Sequence, residues 1–228
     1  MRKPLYPAFL LIVVMAVTAC AQNRPPLNEA EALVERSRVT VEEFKERLKP
    51  PGQTLRANLK TARGVLIFPD VFKAAVGIGG QGGKGVLLAR NEAGEWSYPA
   101  FYNMGGGSIG LQLGASSARF IFVLRSEEAV KSVINNQFQV GGDAQWTLGN
   151  LGSGYVAATT TNVGADVVGF MIAEGVFAGA AIQSGAIVRR NDLNQAYYTP
   201  DATPQGIVID RAFWNVQADP LRKALVVE

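Results

Sequence analysis

The chain has 228 residues with no histidine and a single cysteine, and its 22 lysines and arginines outnumber 19 acids to give a net charge of +3. Without histidine and with one thiol, Ser-His and Cys-His nucleophile pairs and Cys/His zinc sites cannot form. General nucleic-acid binding needs a more concentrated basic surface than this small excess supplies. We expect no enzyme activity, no metal, no cofactor and no nucleic-acid partner, although composition alone does not exclude carboxylate catalysis or metals bound by oxygen ligands.

The first twenty residues, "MRKPLYPAFLLIVVMAVTAC", place two cations before an apolar run and small residues before the cysteine. This order is typical of a secretory signal peptide. The ending "VTAC" resembles the bacterial lipobox, in which cleavage precedes a cysteine that is then acylated. We predict a signal peptide over 1–19, lipid attachment at Cys20 and a lipidated tether over 20–27. An ordinary signal peptide with an incidental cysteine is the alternative.

The predicted anchor also suggests a location. Ala21 follows the cysteine, and in Gram-negative lipoproteins an aspartate at that place would favour retention in the inner membrane. We expect a lipid-anchored protein of the outer membrane that faces the periplasm, with the inner membrane or the cell surface as alternatives. The remaining residues, 28–228, suffice for one domain.

Helices are predicted first along this domain. Asn28 and Glu31 have capping-box spacing, and apolar residues recur at helical intervals up to about residue 48, where Pro50-Pro51 would end the helix. A second capping box at Thr40 predicts a break. The apolar face is expected to cover a sheet, although a helix lying in a membrane interface is the alternative. A short helix is predicted over 53–62.

A glycine-rich stretch, "AAVGIGGQGGKGVLL" at 74–88, fails the Walker phosphate-loop pattern, because Ile78 and Gly85 stand where a glycine and a hydroxyl residue are needed. It matches the dinucleotide fingerprint in letters only, because a strand rather than a helix follows it. It predicts a hairpin with positive φ at the turn over 79–83. One helix is predicted from the cap Ser126 to Asn135. The predicted strands are "GVLIF" before Pro69 and the runs 74–80, 84–90, 95–102, 107–114, 118–125, 154–160, 167–173 and 176–189. A turn is expected at Pro69-Asp70.

This order of elements predicts an α+β fold. N-terminal helices would pack on a glycine-rich, mostly antiparallel sheet that is strongly curved or closed into a barrel, with one inserted helix. Closure or curvature would protect the edges of such glycine-rich strands.

Four stretches of the body carry a family resemblance: "ARGVLIFPDVFKAAVGIGGQGGKGVLLAR", "WSYPAFYNMGGGSIGLQLGASS", "FQVGGDA" and "GVFAGAAIQSGAIVRRNDLNQAYY". In this order and spacing, residues 30 to 198 resemble the SYLF family. The resemblance implies a lipid-binding domain. Eukaryotic members are coupled to phosphoinositides, phosphatidic acid and actin regulation, and bacterial members are commonly exported lipoproteins. Residues from about 199 extend past this core and predict a strand and a short helix that starts at Asp219-Pro220.

The resemblance supplies no catalytic motif, so candidate site residues follow from chemistry. An anionic headgroup needs Lys or Arg donors beside backbone amides, which glycine loops expose. Lys60, Arg63, Lys73 and Lys84 surround the glycine stretch and are the headgroup candidates. Each has an ordinary alternative as a solvated surface cation. The aromatic run "WSYPAFY" is either an acyl-chain pocket or simple sheet packing.

The predicted function is a membrane-anchored bacterial lipoprotein whose SYLF domain binds acidic phospholipids. The alternative is a structural or interaction module of the cell envelope, with an envelope protein as its partner and no specific lipid recognition. An enzyme is the third reading, and it would need an acid pair that the fold brings together from Asp70, Asp143, Asp166 and Glu174.

Overall fold

The computed structural model describes residues 25–47, 55–135, 139–140, 146–151, 155–160, 167–175 and 185–227, and the leader with Cys20, Asp143 and Asp166 lie outside them. The helices are α1 (Pro26–Arg47), α2 (Leu55–Thr61), α3 (Glu127–Ile134), α4 (Asn191–Tyr197), α5 (Pro204–Val208) and α6 (Asp219–Ala224), with a 3₁₀ turn at Val216–Ala218 before α6. The strands are β1 (Gly64–Ala89), β2 (Ala100–Leu124), β3 (Gln139–Val140), β4 (Trp146–Leu151), β5 (Tyr155–Thr160), β6 (Val167–Gly175) and β7 (Gly185–Arg189). No helix among these combines the length and apolar character needed to span a membrane.

The strands form one antiparallel sheet with β2 at its centre. β1 pairs with β2 along nearly its whole length, from Gly64 opposite Leu124 to Leu87 opposite Ala100. The other edge of β2 is shared, because β7 pairs with Tyr102–Gly105 and β6 pairs with Ser116–Leu124. β5 and β4 continue beyond β6, and β3 pairs with β7. The predicted α+β class with a mostly antiparallel sheet is confirmed.

Helices cover the sheet on both faces. Along β1, Val65 and Ile67 lie in the core shared with α1, α2, α4 and α6, whereas Leu66 and Phe68 lie in the core shared with α3 and α5. This alternation follows from the two-residue period of a strand. The prediction that N-terminal helices cover a sheet is confirmed. The second helical layer was not predicted.

Helix α1 differs from its prediction in one respect. It begins at Pro26, in keeping with the preference of proline for the first helical position, and runs unbroken to Arg47. The predicted break at Thr40 is wrong, because the Thr40 hydroxyl donates to the Arg36 carbonyl at 2.9 Å inside the continuous helix. Leu33 and Phe44 are fully buried against the sheet, as the apolar periodicity predicted.

The glycine stretch forms no turn. Gly79–Gly83 lie within β1, where they face Met104–Ser108 of β2, and Gly94 is the only glycine with positive φ in the described residues. The predicted hairpin at 79–83 is therefore wrong. The predicted turn at Pro69-Asp70 is likewise a shift of strand register between Phe68 and Val71.

Two of these glycines permit a close backbone approach instead. A Cβ on Gly85 would lie 2.4 Å from the Ile67 carbonyl oxygen, and one on Gly83 would lie 2.6 Å from the Asp70 carbonyl oxygen. The ends of β1 also meet, because the Arg90 amide donates to the Arg63 carbonyl at 2.8 Å. The first strand therefore curves back on itself, and glycine leaves the necessary space.

The inserted helix is confirmed at α3. The Ser126 side chain accepts a hydrogen bond from the Ala129 amide at 3.1 Å and caps its first turn. The helix ends at Ile134, with Asn135 as its C-cap.

The C-terminal segment belongs to the same body. The strand predicted there is instead the short helix α5, which Thr203 caps by accepting from the Gly206 amide at 3.1 Å, whereas the predicted helix at Asp219 is confirmed as α6. Lys45 of α1 donates to the carbonyls of Ala224 and Val226. All buried members of both core clusters lie between Ala30 and Leu225, so a chain from residue 21 retains them.

Candidate functional site

A cleft opens where the two ends of β1 meet α3 and α5. Its volume is about 290 Å³. Four cations line it, together with two carboxylates and an apolar wall: Arg63, Arg90, Lys131 and Arg211; Glu92 and Glu127; Val130, Val208 and Ile209. We call it the arginine cleft. Its lining carries a net positive charge beside an apolar wall, which suits an anionic group attached to an apolar body.

Backbone carbonyls, rather than acids, hold Arg90 in place. Its Nε donates to the Gly94 carbonyl at 2.9 Å and one terminal nitrogen donates to the Lys60 carbonyl at 3.0 Å. Gly94 has φ of 85°, a conformation that glycine adopts without strain. Neutral carbonyls orient the guanidinium but leave its charge uncompensated.

Arg211 is held in a similar way from the opposite wall. One of its terminal nitrogens donates to the carbonyls of Glu95 at 2.8 Å and Ala89 at 3.3 Å. Its φ of 55° lies in the left-handed region, which costs a non-glycine residue roughly 1 kcal/mol or more. Desolvation lowers the pKa of Arg211, yet an arginine remains charged near neutral pH.

The other two cations are more exposed. Arg63 lies just before β1, and its backbone amide donates to the Leu124 carbonyl at 2.8 Å. Its side chain has no carboxylate within salt-bridge distance in the described part of the chain. Lys131 lies 3.5 Å from Glu127 one turn earlier on α3, and both side chains are more than half exposed. Arg63 is thus the cation most available to a ligand, and Lys131 is exposed but shares its charge with Glu127.

A second group of cations lies between α1 and the glycine stretch, and here each charge is matched. Lys84 Nζ lies 2.9 Å from Glu29 Oε1, and Arg190 contacts the same oxygen at 3.3 Å. Arg190 also pairs with Asp192 at 2.6 Å. We call these four residues the Glu29 network. The hydrogen bonds from Arg190 lower the pKa of Asp192.

The Glu29 network borders a shallow depression of about 390 Å³, which is also lined by Gly83 and Asn103. On its rim Arg36 pairs with Asp70 at 3.1 Å. Asp70, one of the acids considered for catalysis, is therefore an exposed ion-pair partner. The described residues contain no group of three or more Asp, Glu, Cys or His side chains that could hold a metal.

The four predicted headgroup cations do not form one site. Arg63 lines the arginine cleft, and the exposed Lys60 lies beside it, with its carbonyl bonded to Arg90. Lys84 belongs to the Glu29 network. Lys73 is opposite Ser116 in the sheet, but its side chain lies outside the description, as does that of Glu174.

Sequence reasoning missed the cleft cations Arg90, Lys131 and Arg211. No local pattern marked them, because they come from a strand end, a helix and a C-terminal turn. The aromatic run, in contrast, is part of the packing: Trp96, Phe101 and Tyr102 are buried in the two cores. Burial raises the pKa of Tyr102 well above its usual range.

The fold is of the α+β class, and its cleft suits an anionic ligand. A family described as "Las17-binding protein actin regulator", Ysc84, matches residues 105–227, and this match includes the segment from 199 onwards. The chain belongs to this family, which is the SYLF family of the sequence motifs.

Relatives extend the match toward the N-terminal part of the domain. The chain is 34% identical over 170 residues to "Protein YSC84" of Saccharomyces cerevisiae, which covers 73% of this chain and 36% of that protein. It is 30% identical over 185 residues to "SH3 domain-containing protein PJ696.02" of Schizosaccharomyces pombe, covering 77% and 43%. It is 25% identical over 165 residues to human "SH3 domain-containing YSC84-like protein 1", covering 72% and 48%.

The chain thus spans between a third and a half of the length of these curated relatives. No solved structure matches it.

Proposed function

We propose that this chain is a bacterial envelope lipoprotein whose domain binds acidic phospholipids, with the phosphate of the headgroup in the arginine cleft. The observation that carries the proposal is the unmatched charge of that cleft, where four cations line the same depression as two carboxylates. Carbonyl bonds fix Arg90 and Arg211 without neutralising them. The cleft therefore presents preorganised charge to an anion.

The shape of the cleft supports a lipid in particular. Val130, Val208 and Ile209 place an apolar wall beside the cations, and Ile209 is exposed. A phospholipid offers a phosphate next to apolar carbon, whereas free phosphate offers only the charged part. A cation beside an anionic bilayer contributes about 1 kcal/mol to the free energy of binding, so binding to acidic vesicles should be measurable. Because salt screens this attraction, binding should weaken as salt rises.

The test is sedimentation of the chain from residue 21 with vesicles. Vesicles of phosphatidylcholine with phosphatidic acid are compared with phosphatidylcholine alone, at low and high salt, and free phosphate is the competitor. Arg63→Ala with Lys131→Ala should reduce affinity roughly 30-fold if each cation contributes about 1 kcal/mol. Lys84→Ala with Arg36→Ala, which removes two cations outside the cleft, is the matched control.

Equal binding to neutral and acidic vesicles, or equal losses in the two double variants, would refute headgroup recognition in the cleft. Calorimetric binding of millimolar free phosphate without any binding to vesicles would identify a phosphate site instead. Circular dichroism and thermal melting of each variant show that a loss of binding is not a loss of fold.

The anchor is proposed from the sequence motif. Acylation of Cys20 would hold the domain at the outer membrane with its cleft close to headgroups on the periplasmic side. Metabolic labelling with a palmitate analogue should label the wild-type chain, and Cys20→Ser should abolish the label and release the protein from the membrane fraction. Labelling that persists in Cys20→Ser would refute this anchor.

A second function is favoured by the relatives' names, since "LAS seventeen-binding protein 3" of Saccharomyces cerevisiae describes binding to another protein. In this alternative, the domain is an interaction module of the cell envelope and its partner is an envelope protein. A domain that ignores acidic vesicles, but retains one purified envelope protein unless the cleft is mutated, would support it.

A further inference from the structure

One short segment, 209–216, lines both the arginine cleft and a second depression of about 600 Å³. Ile209 and Arg211 contribute to the cleft, and the residues from Ala212 to Val216 contribute to the second depression. Trp214 is three positions after Arg211, so their Cα atoms lie at most about 11 Å apart. The cleft and the second depression therefore adjoin along this segment.

Two apolar side chains of this segment point into solvent. Trp214 is 71% exposed and Val216 is 68% exposed, the two largest exposures among the large hydrophobic side chains of the described residues. An exposed tryptophan combines a large apolar ring with a polar N–H group, which suits the boundary between headgroups and acyl chains. Exposed apolar groups placed together commonly mark a contact surface.

The neighbours of Trp214 are fixed, so its exposure is built into the fold. The Phe213 ring packs 6.4 Å from that of Tyr198, which in turn packs edge-on against Tyr197 at 5.0 Å. On the other side, the Asn215 side chain donates to the Tyr197 carbonyl at 3.1 Å and accepts from the Gln217 amide at 3.1 Å. Trp214 thus projects from a rigid aromatic base.

We propose that Trp214 and Val216 insert into the interface of an acidic bilayer while the neighbouring arginine cleft holds a headgroup phosphate. This inference rests on the proposed function and adds the depth and orientation of the bound domain. Charge complementarity favours a bilayer over a second copy of this chain. A bilayer supplies phosphate for Arg63 and Arg211 beside apolar carbon for Trp214, whereas a second copy would bring another cationic cleft.

The second depression, which Trp214 and Val216 line, includes one carboxylate in its described lining, Asp201. It accepts a hydrogen bond from Thr199 at 2.6 Å, which lowers its pKa. A charged carboxylate at this rim would remain among the headgroups and limit how deeply the segment inserts. We therefore expect shallow insertion, in which Trp214 reaches the upper acyl carbons and the depression itself stays at the surface.

The experiment measures tryptophan fluorescence of the chain from residue 21 with phosphatidic-acid vesicles that contain brominated phosphatidylcholine. Trp214→Phe provides the difference signal, because it leaves the other two tryptophans of the chain, Trp96 and Trp146, in place. The wild-type emission should shift to shorter wavelength and be quenched most by bromine near the headgroup end of the acyl chain. The difference between the wild-type and Trp214→Phe signals, which isolates Trp214, should show both effects.

Affinity provides the second readout. Trp214→Ala should bind acidic vesicles roughly 10-fold more weakly, because the indole no longer leaves water. Val39→Ala, which shortens an exposed valine on α1, is the matched control and should leave affinity unchanged. Melting curves for both variants check the fold.

The outcomes separate the two proposals. Unquenched fluorescence and unchanged affinity of Trp214→Ala, with binding that still depends on Arg63 and Lys131, would overturn the insertion and leave headgroup binding in place. Absence of binding to every acidic vesicle would refute both. A wild-type dimer in light scattering that Trp214→Ala makes monomeric, without quenching by lipid, would assign the patch to a contact between copies and also overturn the insertion.

Discussion

The two cationic regions of this domain contain similar residues but differ in how their charges are matched. In the Glu29 network, Lys84 and Arg190 share Glu29, and Arg190 also pairs with Asp192. In the arginine cleft, Arg90 and Arg211 are held by neutral carbonyls, and Arg63 has no carboxylate partner within the described residues. The first arrangement joins α1 and α4 to the sheet. The second leaves charge available to a ligand.

This difference shows that pairing, rather than the number of cations, distinguishes a structural cluster from a candidate binding site. An ion pair that is already formed must be broken before either charge can bind a ligand. A cation oriented by carbonyls carries no such cost. The comparison predicts that mutations in the network change stability, whereas mutations in the cleft change binding.

The largest loss of stability is expected at Gly85, where the sheet leaves no space for a side chain. Gly85→Ala would place a Cβ 2.4 Å from the Ile67 carbonyl oxygen, so the backbone must shift. We expect a loss of about 3 kcal/mol in the free energy of unfolding, measured by urea denaturation. Gly80→Ala is the matched control, because its Cβ would meet nothing within 4 Å. Equal stability of the two variants would contradict the close approach.

Removing the shared acid of the Glu29 network should be the next largest effect. Glu29 is 16% exposed, and Glu29→Gln leaves Lys84 and Arg190 facing each other without their common carboxylate. We expect a loss of about 1–2 kcal/mol in the free energy of unfolding. Glu46→Gln, on the exposed face of α1, should change it by less than about 0.5 kcal/mol. Glu29→Gln should bind acidic vesicles as the wild-type chain does, because the Glu29 network lies outside the arginine cleft.

Single alanine variants sharpen the comparison further. Lys84→Ala should lower the free energy of unfolding by up to about 1 kcal/mol without weakening vesicle binding, because Lys84 is 47% exposed and pairs with Glu29. Arg63→Ala should weaken binding roughly 5-fold and leave unfolding unchanged. Vesicle sedimentation and urea denaturation of both proteins test this. The opposite pattern would reverse the assignment of the two regions.

The smallest expected effect is the loss of the Arg190–Asp192 contribution to stability at acidic pH. Because Arg190 lowers the pKa of Asp192, the pair stabilises the fold above the ordinary aspartate pKa of about 3.9 and loses this contribution as pH falls through the lower folded value. The side chain of Asp192 is 53% exposed, so we expect less than about 1 kcal/mol. Urea denaturation between pH 6 and 3 should show a shallower decline for Asp192→Asn than for the wild-type chain. Identical curves would show that the pair contributes nothing.

Local signals correctly predicted those elements that depend on neighbouring residues. Ser126 and the acids after it predicted α3, and Asp219-Pro220 predicted α6, because caps and proline act within one turn. The apolar spacing of α1 predicted its buried face. The hairpin predicted at 79–83 was wrong, because glycine suits both a turn and a close approach of two backbones. Only the distant residues Ile67 and Asp70, which Gly85 and Gly83 approach, distinguish the two roles.

The run "GIVID" illustrates a second limit. A strand was predicted past residue 199, but Thr203 and Pro204 start a helix here, and Ile207 and Val208 are buried in the core shared with α3. Short apolar runs fit either structure, so tertiary packing decides between them.

By itself, the sequence determined the α+β class, the helical cover of the sheet, the family and the absence of histidine and thiol chemistry from the domain, because composition and local periodicity carry this information. The tertiary structure decided which cations are paired and which are not. Arg63 and Arg90 flank the two ends of β1 without a salt bridge among the described residues, and Arg211 follows α5, whereas Lys84 meets Glu29 and Lys131 meets Glu127. Such encounters depend on strand register and helix packing, which no local stretch of sequence specifies.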